Sequence, residues 1–326
     1  MTQRQVAMAM RPGGPEVIEV NPETMSPLTA GEVLVQVKAA GLNHIDSLVR
    51  SGTYAVQFPF PYGVAVEGAG IVTAVGPDAT LSVGTRVCWT GVFGSCATYV
   101  TAPYHMLVPL PEDLSFEAGA SLAHAGLTAG GLARHWPLEK GARAVVWGGA
   151  GAVGRLLVAF LAERGVDVIG IASGDRVHAV RTAGAVHAID RCSTDVKEAV
   201  LAFTNNEKVH AVFDPVGSET FQTSLQLLAP RGCLINYGQL SGELPTIDLK
   251  QLMLAGSVFV TKYGPGGIKG AGEIREIISQ ALELAQKYDI QPKISGRFPL
   301  RKAADAYRFM DALPPGKVLV LPYFES

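Results

Sequence analysis

The stretch RAVVWGGAGAVGRLLVAFLAERG, residues 143–165, decides the fold. It begins with a short apolar run typical of a buried strand, continues through a glycine-rich turn and ends in an apolar helical segment closed by Gly165. Glycines and Arg155 interrupt the apolar residues, so the stretch indicates strand, turn and helix rather than a membrane span. Continuous apolar strands of this kind fit a parallel sheet that helices cover on both faces.

The same strand–helix alternation continues downstream. Strand-like runs occupy residues 166–173, 186–190, 209–217, 233–239 and 257–264, and helical patterns occupy 175–184, 194–204 and 217–232. Alternation of this kind predicts the α/β class with a doubly wound parallel sheet.

The flanking regions have a different character. The first third alternates short β-rich runs with turn signals, and a helical segment over 110–136 follows, for which Ser115 can serve as the cap. Two amphipathic helical patterns and a final strand-like run lie beyond residue 263. We therefore predict a split β-rich domain, 1–122 with 263–326, and a nucleotide-binding domain over 123–262.

Composition limits the possible functions. The 326 residues are 48% hydrophobic and 17% charged, with a net charge of −2, which argues against disorder and against a nucleic-acid partner. The four cysteines are scattered and form no CxxC pair, which suits a reducing cytosol. The N-terminus lacks the apolar core of a signal peptide. We expect a soluble cytoplasmic protein with no membrane partner.

The glycine turn carries the first functional signal. Gly149-Ala150-Gly151-Ala152-Val153-Gly154 fits G-x-G-x-x-G directly after a strand and at the start of a helix, which indicates dinucleotide binding. Gly149 is expected to permit the tight turn, Gly151 to let the backbone approach a pyrophosphate, and Gly154 to allow close packing of helix on strand. The alternative is a structural turn that binds no ligand.

The residues after the next strand favour NADPH over NADH. NAD enzymes usually have Asp or Glu there to bind the adenosine ribose, whereas this strand ends in Ala172 and Ser173. Arg176 and Arg191 are candidates to pair with a 2′-phosphate, because a planar guanidinium suits that anion. In the alternative, Asp175 turns back to the ribose and Arg176 is only a solvated residue at a helix start.

Segments along nearly the whole chain resemble one known family. The most specific is Asn43…Asp46…Arg50-Ser51-Gly52-x-Tyr54, and others are RPGGPEVIEV, VEGAGIVTAVGP, AGLTAGGL and INYGQLSG. Together they resemble the zinc-independent medium-chain dehydrogenase/reductase proteins of the NADPH:quinone oxidoreductase (zeta-crystallin-like) family. The resemblance implies a GroES-like β-rich domain, a Rossmann domain, an active cleft between them and commonly a homodimer.

The resemblance also implies site residues. Asn43 and Tyr54 match polar positions near the nicotinamide and the substrate: Asn43 would orient the ribose or a carbonyl, and Tyr54 would donate a hydrogen bond or stack on a flat acceptor. Thr128 resembles a threonine that contacts the cofactor. Further implied cofactor contacts are Asn236, Tyr237, Gly238, Gln239 and Lys317.

Each of these assignments has a structural alternative. Asn43 could be a turn residue that bonds its own backbone, Tyr54 a packing aromatic, and Lys317 a surface lysine at a strand start. His124 is expected to be a packing residue of its helix rather than a catalytic acid. Asp46 and Arg50, four residues apart, are expected to form an internal salt bridge.

No zinc site is expected. The positions at which zinc-dependent relatives carry ligands hold Asn43, Val66 and His124, and one imidazole cannot replace three ligands of a tetrahedral ion. Without a metal, the chemistry reduces to positioning a hydride donor against an electron-poor small molecule. We expect an NADPH-dependent reductase of quinones or of α,β-unsaturated carbonyls. The alternatives are an enoyl-thioester or pathway-specific ene-reductase and an NADPH-binding protein without turnover.

Overall fold

The computed structural model describes residues 2–54, 58–264, 267–268 and 270–324. The strands, in chain order, are β1 (Gln3–Ala9), β2 (Ile18–Thr24), β3 (Glu32–Gly41), β4 (Tyr62–Gly63), β5 (Glu67–Val75), β6 (Arg86–Thr90), β7 (Tyr99–Pro103), β8 (Leu107–Pro109), β9 (Arg143–Val146), β10 (Asp167–Ala172), β11 (His187–Asp190), β12 (Val209–Asp214), β13 (Leu228–Asn236), β14 (Phe259–Lys262), β15 (Ile294–Pro299) and β16 (Lys317–Leu321). The α-helices are α1 (His44–Ser51), α2 (Phe116–His135), α3 (Ala152–Glu163), α4 (Val177–Thr182), α5 (Val196–Phe203), α6 (Ser218–Leu227), α7 (Leu249–Leu254), α8 (Gly270–Lys287) and α9 (Ala303–Asp311).

Contacts within the chain divide it into two units. The first comprises 1–124, 270–282 and 291–326, and the second comprises 125–269 and 283–290. These limits differ from the predicted domain boundaries chiefly at 283–290. That segment packs with the second unit, because Lys287 and Tyr288 bind Glu163 of α3 at 2.7 and 2.6 Å.

The second unit is built on a six-stranded parallel sheet. Its spatial order is β11-β10-β9-β12-β13-β14, and every neighbouring pair is parallel. Numbered from β9, this is the order 3-2-1-4-5-6 of a dinucleotide-binding sheet, in which ligands bind outside the carboxyl ends of the strands. Ala144, Val145 and Val146 of β9 are completely buried, as expected for a central strand covered on both faces.

The first unit contains two further sheets, one of three strands and one of seven. One has the order β2-β1-β4, and the other has the order β15-β16-β3-β5-β6-β8 with β7 paired to β3. The pairing is antiparallel except between β15 and β16. The long strand β3 alternates buried and half-buried residues along most of its length, which places one face of this sheet on the core.

Most predicted elements are present, and the predicted α/β class with its doubly wound sheet is confirmed. The Ala118 amide donates to Ser115 Oγ at 3.1 Å, so the predicted cap of α2 is confirmed. The predicted helix over 217–232 is too long: α6 ends at Leu227 and β13 begins at once. Pro230 cannot continue a helix, and Arg231 has a φ of 63°.

None of the helices in the described part of the chain combines the length and the apolar character that crossing a lipid bilayer requires.

Candidate functional site

The glycine turn lies between β9 and α3 at the carboxyl edge of the parallel sheet. The Gly149 amide donates to Ile171 O at 2.8 Å, and the Gly151 amide donates to Gly148 O at 2.9 Å. The left-handed residue of the turn is Gly148, with a φ of 64°, so the tight turn predicted for Gly149 is made by its neighbour. A Cβ on Gly154 would lie 2.2 Å from Gly148 O, so this position requires glycine.

This turn presents backbone donors that suit an anion. The first turn of α3 begins after Gly151, and the first amides of a helix have no partners within the helix. A Cβ on Gly151 would lie 3.2 Å from Gly148 O, so a side chain at this position would crowd the backbone of the turn. Ala150, Ala152 and Val153 are the other residues of the motif. Unpaired amides and the positive end of the helix dipole suit a diphosphate.

Two arginines converge on Ser173 after β10. Arg191 Nε donates to Ser173 Oγ at 2.9 Å, and Arg176 Nε donates to the Ser173 carbonyl at 3.3 Å. Both arginine residues are exposed. The structure thus brings these three predicted residues together, and it places two cations where NAD enzymes carry an acid.

The nearby carboxylate, Asp190, is engaged elsewhere. It accepts hydrogen bonds from the amides of Cys192 and Gly174 at 2.9 and 2.8 Å and from Ser193 Oγ at 3.0 Å. These bonds, led by the one from the Cys192 amide, lower the pKa of Asp190. Asp190 therefore organises the two loops, whereas Asp175 lies exposed in the 3-10 turn Gly174–Arg176.

The carboxyl ends of β12, β13 and β14 are tied together by Asn236. Its Nδ2 donates to Asp214 O at 3.1 Å, and its Oδ1 accepts from Lys262 Nζ at 2.8 Å. Lys262 also donates to Gly238 O at 3.2 Å. A Cβ on Gly238 would lie 2.3 Å from Pro215 O, so the backbone here is closely packed, and half-buried Gln239 follows it.

The Asn236 side chain therefore bonds to neighbouring strands, which leaves the backbone of this segment as its predicted contact with a cofactor. Tyr237 is half-buried, and burial raises the pKa of its phenol. Lys262 was not predicted as a site residue. It stands at the carboxyl end of a parallel strand, which is the signal that could have found it.

A second polar cluster lies in the first unit, around the fully buried carboxylate of Glu67. Lys317 Nζ is 2.5 Å from Glu67 Oε2 and 2.8 Å from Asn43 Oδ1. Asn43 Nδ2 donates to the same Glu67 oxygen at 2.9 Å. The cluster brings together Asn43 and Lys317, two predicted site residues that are 274 positions apart. Glu67 itself was not predicted as a site residue.

His124 and Thr90 extend this cluster. The His124 amide donates to Glu67 Oε1 at 2.7 Å, and its Nδ1 is 2.9 Å from Thr90 Oγ1. Burial is the largest influence on the imidazole, and it lowers the pKa of His124. The ring is therefore held in a satisfied, neutral position in its helix.

Asp46 and Arg50 do not form the predicted salt bridge with each other. Arg50 pairs with Asp311 at 2.8 Å, whereas the Asp46 carboxylate accepts from the Asn43 amide at the start of α1 at 2.8 Å. The predicted salt bridge between them is wrong, because each finds a partner off the helical i, i+4 path. Burial raises the pKa of Asp46 to about 7.

Tyr54 and Thr128 lie on separate elements of the chain. Tyr54 is half-buried and follows α1, where its amide donates to Leu48 O at 3.0 Å. Thr128 is half-buried in α2. Their positions alone do not define a role for either side chain, so both assignments stay predictions.

The donor set around Glu67 does not fit a zinc ion. Zinc requires thiolate, imidazole or carboxylate ligands in a tetrahedron, but here the Lys317 ammonium already binds the carboxylate and the Asn43 oxygen. Val66, which precedes Glu67, has no donor atom in its side chain. Within the described ranges, no group of three or more His, Cys, Asp or Glu side chains is placed to hold a metal.

Comparisons with known proteins define the class. Residues 29–112 match the family model for an alcohol dehydrogenase GroES-like domain, and residues 152–286 match the model for a zinc-binding dehydrogenase. The chain is thus a two-domain protein of the medium-chain dehydrogenase/reductase class, with the predicted GroES-like and Rossmann folds.

Proteins that match this chain over nearly its whole length identify the family. A quinone oxidoreductase of Pseudomonas aeruginosa is 34% identical over 316 residues, which are 95% of this chain and 97% of that protein. A mycobacterial protein solved in complex with NADPH is 32% identical, with a TM-score of 0.84 over 98% of this chain and all of that one. A 2-haloacrylate reductase of a Burkholderia species is 27% identical over 336 residues, covering 97% of this chain and 98% of that protein. The chain belongs to the quinone oxidoreductase family.

Proposed function

We propose that this protein is an oxidoreductase that uses NADPH to reduce a small electrophilic acceptor, either a quinone or an activated alkene. The observation that carries the cofactor assignment is the pair of arginines on Ser173, where an acid would select NADH. The acceptor class rests on the relatives, which include a quinone oxidoreductase and a 2-haloacrylate reductase. Both of their acceptors are conjugated and electron-poor.

The roles of the residues follow from their chemistry. The amides over 149–154 bind the diphosphate, Arg176 and Arg191 bind the 2′-phosphate, and the backbone over 236–239 contacts the rest of the cofactor. Thr128 and Lys317 are further proposed contacts. When bound, NADPH supplies a hydride. Asn43 orients the acceptor through its amide, and Tyr54 donates a hydrogen bond to the acceptor or stacks on it.

An acceptor panel tests this function. Purified protein is mixed with NADPH and, in parallel, with benzoquinones, enals, enones and enoyl thioesters, and the loss of NADPH absorbance is followed. Rapid oxidation with quinones or with simple enones supports the proposal. Oxidation restricted to enoyl thioesters identifies the ene-reductase alternative. Tight NADPH binding without oxidation by any acceptor identifies a binding protein and contradicts the proposal.

We also propose that two copies associate through the free edge of the parallel sheet. β14 is the outermost strand, and Phe259 on it is 49% exposed. Leu249, Met253 and Leu254 of α7 are also exposed, and edge strands with apolar neighbours favour pairing with another chain. Phe259→Asp should yield monomers in light scattering, whereas Phe203→Asp, at an exposed phenylalanine of α5, should not. A wild-type monomer contradicts this proposal.

We propose a cytosolic location because the cysteines form no disulfide among the described residues. All four are free thiols, and three of them are buried, which suits a reducing compartment. Cell fractionation tests it, and recovery of the protein outside the cytosol contradicts it.

A further inference from the structure

Three donors converge on the two oxygens of Glu67. The His124 amide binds Oε1 at 2.7 Å, whereas Lys317 Nζ and Asn43 Nδ2 both bind Oε2, at 2.5 and 2.9 Å. The Glu67 side chain is 0% exposed and that of Lys317 is 11% exposed. Such a carboxylate is held by its partners rather than by water.

The contacts close a triangle, because Lys317 Nζ also binds Asn43 Oδ1 at 2.8 Å. An ammonium has no acceptor and a carboxylate has no donor, so the Asn43 amide can satisfy both only with its oxygen toward Lys317 and its nitrogen toward Glu67. The amide orientation is therefore dictated by chemistry. Among the described residues, the further contact of Asn43 Nδ2 is a long one, 3.4 Å to Gly41 O, so its second N–H can serve a substrate oxygen.

The cluster packs closely against Gly41. Gly41 ends β3 beside it, and a Cβ at Gly41 would lie 2.0 Å from Ala120 O, 2.7 Å from Lys317 Cε and 2.8 Å from Glu67 Oε2. A side chain at position 41 would therefore displace Lys317 and Glu67, so this arrangement requires glycine there.

We propose that Glu67 is a positioning residue that couples the cofactor contact to the acceptor contact. It holds the Lys317 ammonium, whose two acceptors among the described residues leave a third N–H for the cofactor, and it fixes Asn43 as a hydrogen-bond donor toward the acceptor. This inference rests on the proposed function. A purely structural ion pair would stabilise the fold without setting the polarity of Asn43.

A single variant and a charge-balanced double variant distinguish a positioning role of Glu67 from a purely structural one. In Glu67→Gln, whichever way the new amide turns, its NH₂ faces either the His124 amide or the Asn43 and Lys317 donors, and the ammonium loses its counter-charge. Combining Glu67→Gln with Lys317→Met removes both charges. The double variant can satisfy its hydrogen bonds only if the Asn43 amide turns over, so that its oxygen faces the NH₂ group introduced at position 67.

The readouts are the calorimetric Kd for NADPH, kcat and KM for a benzoquinone, and the melting temperature. Lys317→Met, Glu67→Gln and the double variant should each lower kcat at least tenfold and weaken NADPH binding. The double variant should recover most of the melting temperature that Glu67→Gln loses, without recovering kcat. Glu117→Gln, which breaks an ion pair with Arg297 in the same unit, serves as the matched control and should leave kcat and Kd unchanged.

The outcomes are distinguishable from failure of the proposed function. If wild type binds NADPH but reduces no acceptor, the proposed function fails, and the Kd series still tests the link from Glu67 to the cofactor. The inference is overturned if the double variant regains kcat together with its melting temperature, or if folded Glu67→Gln has wild-type kcat and Kd. If Glu67→Gln does not fold, the kcat, Kd and melting temperature of Lys317→Met and of the double variant test the inference in the same way.

Discussion

Removing the arginines near Ser173 should change coenzyme preference rather than coenzyme binding in general. Arg191 Nε and Arg176 Nε lie 2.9 and 3.3 Å from Ser173 atoms, so both guanidinium groups can reach one phosphate. A hydrogen bond to a charged group contributes about 1.5–3 kcal/mol, and the exposure of both side chains favours the lower end. Either Arg→Ala substitution should therefore weaken NADPH binding roughly tenfold.

The assay is a calorimetric titration with NADPH and with NADH. NADH lacks the 2′-phosphate, so its Kd should change less than about threefold in either variant. Because the two arginines share Ser173, the double variant should lose less than the product of the single effects. Arg181→Ala, which removes an exposed arginine of α4, controls for net charge and should alter neither Kd. Equal losses for the two coenzymes would refute the 2′-phosphate assignment.

Three further predictions follow from the site. Burial raises the pKa of Asp46 from 3.8 to about 7, so between these pH values the folded chain binds a proton that the unfolded chain has released. The free energy of unfolding should therefore fall by up to about 4 kcal/mol as pH rises from about 4 to about 7. Urea unfolding should show that Asp46→Asn gains stability over wild type toward pH ~8, and a difference that does not depend on pH would contradict this. Gly154→Ala should cost about 1–3 kcal/mol of stability and lower NADPH affinity more than tenfold, whereas Gly272→Ala, whose Cβ meets nothing within 4 Å, should do neither. Chelators should leave NADPH oxidation unchanged and elemental analysis should find no stoichiometric zinc; loss of activity that added zinc restores would contradict the interpretation of the Glu67 cluster.

The parallel sheet was predictable because its signals are local. Each strand is a short apolar run bounded by turn residues, and the glycine turn follows the first of them directly. The cap of α2 was likewise visible in Ser115. Shorter elements gave weaker signals: α1 has eight residues, several of them polar, and neither it nor β15 was predicted.

The polar clusters were harder to predict because their partners are distant in sequence. Glu67 and Lys317 are 250 residues apart, and Arg50 finds Asp311 rather than the nearer Asp46. Spacing rules describe neighbours on one helix, and they say nothing about such pairs. The resemblance to a family identified Asn43 and Lys317 one by one, but only the folded chain shows that Glu67 joins them.

The most direct test of the proposed chemistry is a single-turnover experiment without oxygen, in which the protein meets one equivalent of NADPH and an excess of a benzoquinone or a cyclic enone. We predict that NADPH is consumed in step with reduction of at least one acceptor, and that deuterium at one of the two C4 positions of the nicotinamide slows this step. NADPH that stays bound and unoxidised with both acceptors would contradict the proposed hydride transfer.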